Sequence, residues 1–322
     1  MNKVNQFTIA EEKNDFFPET IIRNNSTNEY LSIIPESGAR IKELWLKNGE
    51  NTISVLEKIE RIDSCKRDDI YTNAKLSPFA GRIKDGQYIY NDTQYELLKN
   101  YPEENNACHG FIYDKKFRLT ARTVSDDFAS CTLEYFYNKE NQGYPFSYLI
   151  KIIYKLSIDD GLTCITKVTN CSDSDIPLAD GWHHYFNLGV NVDELKLKLD
   201  VSEIAELNSQ MIPDGETKEY RCFDVPRKIN DRNFDSCFKM NNKGRAITRI
   251  ISEKQKISLN IWQETGRDKY NYLVVYTPPC RKTIAIEPMT SNINSFNNGE
   301  GLIILSPGKE YVSSFGIYLD KT

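Results

Sequence analysis

The chain has three histidines, and two of them are adjacent, in GWHHYFNL at residues 181–188. Imidazole is the side chain best matched to moving protons near neutral pH. In an extended strand, successive side chains point to opposite faces. Trp182, His184 and Phe186 then share one face, and His183, Tyr185 and Asn187 the other. The first set reads as core and the second as the lining of a polar cleft. This phase makes His183 the candidate for chemistry and His184 a packed ring. It also argues against the two rings chelating one metal, because they diverge. The ordinary alternative for His183 is a hydrogen-bonded histidine on a polar sheet face.

Four further residues have types suited to chemistry. His109 lies in NNACHGFIYD, where Gly110 suggests a turn that lets the ring project from a loop. Arg82 follows Gly81 in SPFAGRIKDG; it is either a surface ion-pair partner or a guanidinium aimed at substrate oxygens. In KTIAIEPMT, Ala285 and Glu287 share one strand face and Ile284 and Ile286 the other. Pro288 is expected to end the ladder just after the acid. A carboxylate at the end of an apolar strand is costly unless it is paired or used. Asp235, between aromatics in NFDSCF, reads as a turn cap or as a second functional acid.

The elements that must hold these residues read as β throughout. GQYIYNDTQYELLK reads as a hairpin turning at Asn91-Asp92, and SYLIKIIYKLSIDDGLTCITKVTN as a longer one turning at Asp159-Asp160-Gly161. In DELKLKLDV, Leu195, Leu197 and Leu199 alternate with Lys196 and Lys198, the pattern of a half-buried strand with a solvated lysine face. KISLNIWQ, YLVVYTP, KTIAIEP and YVSSFGIYL continue the series. No helical period is sustained over 12 residues or more, and no fixed repeat occurs. Many strands separated by turn signals predict an all-β sandwich or barrel with large antiparallel sheets. The reading is one domain over residues 1–322, with the first ~25 polar residues as an edge strand or a loose arm.

Composition narrows the function classes. Charged residues are 27% and hydrophobic ones 39% of 322, which describes a soluble globular chain. The net charge of −5 and the lack of a basic stripe argue against nucleic acid. No apolar run approaches the ~20 residues that span a bilayer, and the N-terminus lacks a signal-peptide core. The eight cysteines, Cys65, Cys108, Cys131, Cys164, Cys171, Cys222, Cys237 and Cys280, form no CxxC pair and read as free thiols in the cytoplasm. There is no P-loop and no GxGxxG after a strand, and Gly299-Glu300-Gly301 reads as a turn.

Taken together, SPFAGRIKDGQY, NACHGF, GWHHYFNL, NFDSCF, IEPMTSNINSFN and the late turn SPGKEY resemble the aldose 1-epimerase (galactose mutarotase) family, in the family's order from about residue 30 onward. The resemblance implies a β-supersandwich fold and the interconversion of α- and β-anomers of a free aldose. It implies His183 as general acid, Glu287 as general base, and Arg82, His109 and Asp235 as residues that hold sugar hydroxyls. It implies no cofactor or metal, a monosaccharide as partner with neither nucleic acid nor membrane, and a monomer or homodimer. Gly81, Cys108 and His184 depart from residues common in galactose-specific members, which leaves the sugar open. Three other readings stand beside this one. A hexose-6-phosphate mutarotase would need further cations near the pocket, where Lys84 and Arg281 are the nearest by motif. A glycoside hydrolase would use Asp235 and Glu287 as its carboxylate pair. A non-catalytic sugar-binding protein would keep the pocket without using it.

Overall fold

The computed structural model describes residues 6–13, 16–60 and 71–320. The alternating segments form antiparallel sheets, and the architecture is all-β, with three large sheets and three short two-stranded ladders. A five-stranded sheet takes Phe7–Lys13, Pro18–Asn24, Tyr30–Ile34, Arg40–Asn48 and Asn51–Ser54 in chain order. Phe7–Lys13 is its edge, paired from Phe7↔Asn24 to Lys13↔Pro18. A nine-stranded sheet is built around the long strands Phe128–Asn138, Ser147–Ser157, Gly161–Asn170 and Glu310–Leu319. A seven-stranded sheet carries the candidate residues. It runs Pro213–Glu219, Val201–Leu207, Asp235–Met240, Tyr272–Tyr276, Ile284–Met289, Gly181–Phe186 and Ala74–Leu76.

Local sequence explains these elements. Asn91 and Asp92 both take positive φ, +48° and +58°, between Tyr90 and Thr93, which pair directly. This left-handed two-residue turn matches the twist of the strands it joins. The longer hairpin closes at Ser157↔Gly161, with Gly161 at φ +61°. Leu195, Leu197 and Leu199 are buried, while Lys196 and Lys198 are half-buried, as the alternation predicts.

One expectation is corrected. The glutamate strand Ile284–Met289 runs through Pro288 to Met289 and does not end before it. On one side Leu273↔Pro288 continues the ladder. On the other, pairing with Gly181–Phe186 jumps from Gly181↔Met289 to His184↔Ile286. The interruption is therefore confined to one edge of the strand, where proline offers no N–H.

The two large sheets meet behind the histidine strand. Trp182, His184 and Phe186 are 1% exposed or less. The His184 ring stacks on Trp182 at 5.1 Å and lies 5.1 Å from Phe315 of the nine-stranded sheet. Neither ring nitrogen of His184 has a hydrogen-bond partner, so the ring serves as packing. Among the described residues, no helix is long and apolar enough to cross a membrane. Seven cysteines are free thiols, and Cys65 lies outside the described residues. Removing a packed ring of this size costs about 2–4 kcal/mol. His184→Ala should therefore lower the denaturant midpoint while keeping most turnover per folded molecule. A fully stable but inactive variant would show that His184, not His183, does the chemistry.

Candidate active site

The cleft lies on the other face of the seven-stranded sheet. His183 and Tyr185 alternate with the packed Trp182 and His184. Register places His183 directly across from Glu287, since Gly181 pairs Met289 and His184 pairs Ile286. Val274 pairs with Glu287 on its other side, and Ala74 with His183. One rung along, Asp235, Tyr276, Ala285 and Tyr185 form the next row. The small residues Ala74 and Ala285 leave room above the floor.

Arg82 and His109 come from loops and meet in a two-stranded ladder, Cys108↔Arg82. The His109 amide donates to the Gly81 carbonyl at 3.0 Å. His109 has φ +68°, a conformation uncommon outside glycine, which aims its ring at the cleft. A Cβ on Gly110 would sit 2.1 Å from the Ser77 carbonyl oxygen, so only glycine fits there. Asn100 pins the loop by accepting from the Cys108 amide at 2.7 Å and donating to its carbonyl at 3.0 Å.

The segment after Glu287 fastens the other pieces. Thr290 N–H donates to the Asp180 carbonyl, and Asp180 N–H donates to Thr290 Oγ1, both at 2.9 Å. Asn294 N–H donates to the Arg82 carbonyl at 2.8 Å, and its Oδ1 accepts from Lys84 N–H at 3.0 Å. Below the floor, Lys75 Nζ contacts Asp180 Oδ2 at 2.5 Å and the Gly181 carbonyl at 3.0 Å, with both ionic side chains fully buried. Tyr270 donates to the same carboxylate oxygen at 2.8 Å.

All five sequence-derived candidates, Arg82, His109, His183, Asp235 and Glu287, line one cleft of about 610 Å³. His183 Nε2 lies 3.4 Å from Glu287 Oε1. Arg82 Nη2 lies 3.6 Å from Asp235 Oδ2, and its guanidinium is 5.8 Å from the Tyr101 ring centre. The His109 and His183 rings meet edge to face at 5.3 Å. Asp235 begins a strand and does not cap a turn. Arg82 Nε and the Nδ1 atoms of His109 and His183 are buried without a hydrogen-bond partner. Sequence reasoning did not single out Tyr71, Tyr101 or Tyr276 as lining residues. The Tyr71 ring lies tilted 4.5 Å from His109 and stacks at 6.4 Å on His183.

Burial sets the protonation of the pair. It pushes the Glu287 carboxyl well above the ordinary range; the Asp235 charge adds to this and Arg82 opposes it. Burial depresses the His183 imidazole to about 3, and Arg82 acts in the same direction. His109 is also held well below its usual value, by burial and then by His183 and Arg82. Burial raises Asp235, with Arg82 opposing. Burial thus favours the protonated carboxyl of Glu287 and the neutral imidazole of His183. Among the described residues, no cluster of three or more His, Cys, Asp or Glu side chains is arranged to hold a metal ion.

The family model described as aldose 1-epimerase matches residues 21–318. The chain belongs to the aldose 1-epimerase family. The uncharacterized protein YihR of Escherichia coli (strain K12) is 26% identical over 249 residues, spanning 76% of this chain and 77% of YihR. Among solved structures, a galactose mutarotase-like protein from Clostridium acetobutylicum superposes with a TM-score of 0.86 at 23% identity, covering 98% and 99% of the two chains. Galactose 1-epimerase from Lactobacillus acidophilus NCFM superposes at 0.80 and 17%, covering 98% and 99%. At these identities the structural likeness establishes the shared aldose 1-epimerase-type fold.

The raised Glu287 carboxyl has a stability consequence with a definite sign. A group whose folded pKa is raised contributes fully below its unfolded value of about 4.3, and that contribution is lost as pH rises toward the folded value. Glu287→Gln removes this dependence. The thermal midpoint of the variant relative to wild type should rise as the pH is raised above about 4.3. A difference that stays flat or reverses would mean that the folded protein holds Glu287 charged without penalty.

Proposed function

We propose that this protein is a mutarotase that interconverts the α- and β-anomers of a free aldose by opening and reclosing the sugar ring. The observation that carries the reading is the buried His183–Glu287 contact, an imidazole and a carboxyl side by side in a cleft that Arg82, His109 and Asp235 also line.

Glu287 as carboxylate accepts the proton of the C1 hydroxyl. His183 as imidazolium gives a proton to the ring oxygen. The C1–O bond to the ring breaks, its electron pair goes to the ring oxygen, and C1 becomes an aldehyde carbon. Rotation about C1–C2 and the reverse transfers close the ring on the other face of the carbonyl. Both groups end as they began, so no co-reactant is consumed. Burial favours the proton on Glu287 over a charged imidazole. A hydroxyl donating to Glu287, together with the Arg82 charge that already favours its ionised form, draws that proton toward Nε2 and creates the reactive distribution. Arg82, Asp235 and His109 would hold the sugar hydroxyls, and the tyrosine rings would meet its CH faces.

The charges of the cleft favour an unphosphorylated sugar. Among the described lining residues the cations are Arg82, which faces Asp235, and Lys282 on the lip. Arg281 is occupied elsewhere, by Asp193 at 2.5 Å and by Asn233 and the Asn230 carbonyl. A hydrolase reading gives the His183 contact no task.

The test is polarimetry of freshly dissolved α-anomers of several aldoses. Wild type should accelerate the approach to equilibrium, and Glu287→Gln and His183→Asn should each lower kcat by about 10²–10⁴-fold. Full activity in Glu287→Gln would remove the carboxyl from the chemistry. The pH profile carries a second expectation. The pair works while it holds one mobile proton. Its acid limb requires a second proton on an imidazole that burial depresses to about 3. Activity should therefore hold through the range where an ordinary histidine titrates, and fall at alkaline pH as the shared proton is lost. An acid limb near 6.5, the ordinary histidine value, would contradict this.

A further inference from the structure

An imidazole that moves protons is ordinarily oriented by a hydrogen bond from its far nitrogen to a carboxylate or a carbonyl. Among the described residues, Nδ1 of His183 has no such partner from any other residue, and Nδ1 of His109 has none. Both rings are more than nine-tenths buried. What touches them is aromatic. Tyr185 stacks on His183 at 4.8 Å with the planes 18° apart, and Tyr71 stacks on it at 6.4 Å and 17°. Tyr71 also lies 4.5 Å from His109, tilted by 56°. The same tyrosine ring therefore packs on both cleft histidines.

Tyr71 is itself held from several directions. Its carbonyl accepts from Ala74 N–H at 3.0 Å, closing a turn in which Asn73 takes φ +54°. Ala74 pairs with His183, so the turn leads directly onto the rung of the strand histidine. Asn73 Oδ1 accepts from Tyr185 N–H at 3.1 Å, and its Nδ2 donates to the Glu57 and Ile41 carbonyls. The Tyr71 hydroxyl accepts from Asn100 Nδ2 at 2.7 Å. The same amide donates to the carbonyl of Cys108, next to His109, at 3.0 Å. Tyr113 meets the Tyr71 ring edge to face at 5.0 Å. One fixed ring is thus tied both to the strand that carries His183 and to the loop that carries His109. An aromatic ring also suits a proton-transfer imidazole in a way that a carboxylate does not. Its quadrupole favours the charged imidazolium, yet it takes no proton from Nδ1 and does not compete with Glu287.

We propose that Tyr71 is the positioning residue of both cleft histidines, its ring orienting the His183 and His109 imidazoles where no hydrogen-bonded partner does so, with Tyr185 completing the support of His183. The kinetic part of this rests on the mutarotase reading, and the placement of the rings does not. Tyr71 acts through the two imidazoles, so its loss falls on the chemical step more than on sugar binding.

The experiment combines polarimetry with NMR of the full chain isotope-labelled at its three histidines, the signals assigned with His109→Asn and His183→Asn. In wild type, through-space contacts should join the Tyr71 ring to the His109 imidazole and the His109 imidazole to that of His183, which meet edge to face at 5.3 Å. Absence of the first contact would overturn the proposal. Tyr71→Leu should abolish the contact between the two imidazoles. It should lower kcat for mutarotation by about tenfold or more, with KM changed less than about threefold. Tyr71→Phe keeps the ring and gives up the Asn100 bond; it should keep the imidazole contact and lose about threefold in kcat. A folded Tyr71→Leu protein that retains the imidazole contact would overturn the proposal. So would one with KM raised and kcat unchanged, which would make Tyr71 a sugar contact only. If Tyr71→Leu does not fold, Tyr71→Phe decides, and loss of its imidazole contact would move the role from the ring to the hydroxyl and overturn the proposal. A wild type that accelerates no sugar would overturn the mutarotase reading, while the imidazole contacts would still decide the positioning.

Discussion

The site depends on one constraint: a carboxyl and an imidazole must face each other across two adjacent strands, buried on the cleft face of the sheet. The register of the histidine and glutamate strands supplies the opposition. Pro288 interrupts the backbone pairing between them. Its missing N–H lies on the edge shared with the histidine strand, where the ladder skips both the Trp182–Pro288 and His183–Glu287 positions. On its other edge the glutamate strand stays paired, with Val274 against Glu287. The acid is thus held firmly from one side and left open on the other. At 3.4 Å, no atom fits between the two groups, so a sugar hydroxyl reaches them from the open side of the cleft.

Such an arrangement is costly to bury, and the structure holds it from below. Lys75, Asp180 and Tyr270 join the strand Ala74–Leu76, the entry to the histidine strand and the loop before Tyr272 in one buried network. A buried ion pair contributes little net stability once desolvation is counted. Its worth here is geometric, because it fixes the start of the strand carrying His183. Thr290 then ties Asp180 to the end of the glutamate strand. Asn294 extends the same segment to the Arg82 backbone. One stretch of chain after Glu287 therefore sets the positions of the acid, the histidine strand and the arginine loop together.

These relations divide what could be read in the sequence from what could not. Alternation is a local signal, so the all-β class, the two hairpins and the Leu195–Leu199 strand were legible. The same period separated His183 from His184, and the stacking of His184 between Trp182 and Phe315 bears out its place in the core. The five candidate residues were legible as types, and the family resemblance grouped them. Pro288 was misread because a local rule, that proline stops a ladder, takes no account of which edge it interrupts. Lys75 and Asp180 are 105 residues apart, and each looks like an ordinary surface charge until the sheet joins them. Tyr71 and Tyr101 come from connections with no period, and Tyr276 reaches the cleft only through its pairing with Ala285. Long-range register carries that information, and no window of sequence contains it.

The depth of the site also accounts for the size of its platform. The chemistry needs two groups, yet each works only if water does not compete for the shared proton and neither drifts from the other. Burial pushes Glu287 up and His183 down, so the two shifts compensate and the pair keeps one proton over a wide range of pH. A shallow site on a small sheet would leave both near ordinary values, with the carboxylate and the imidazole each solvated and indifferent to the other. Two large sheets packed through Trp182, His184 and Phe315 remove one face of the histidine strand from water entirely. The other face is then shielded by the loops that bring Arg82 and His109. The coupling between the acid and the base is thus a property of the sandwich, delivered to two side chains.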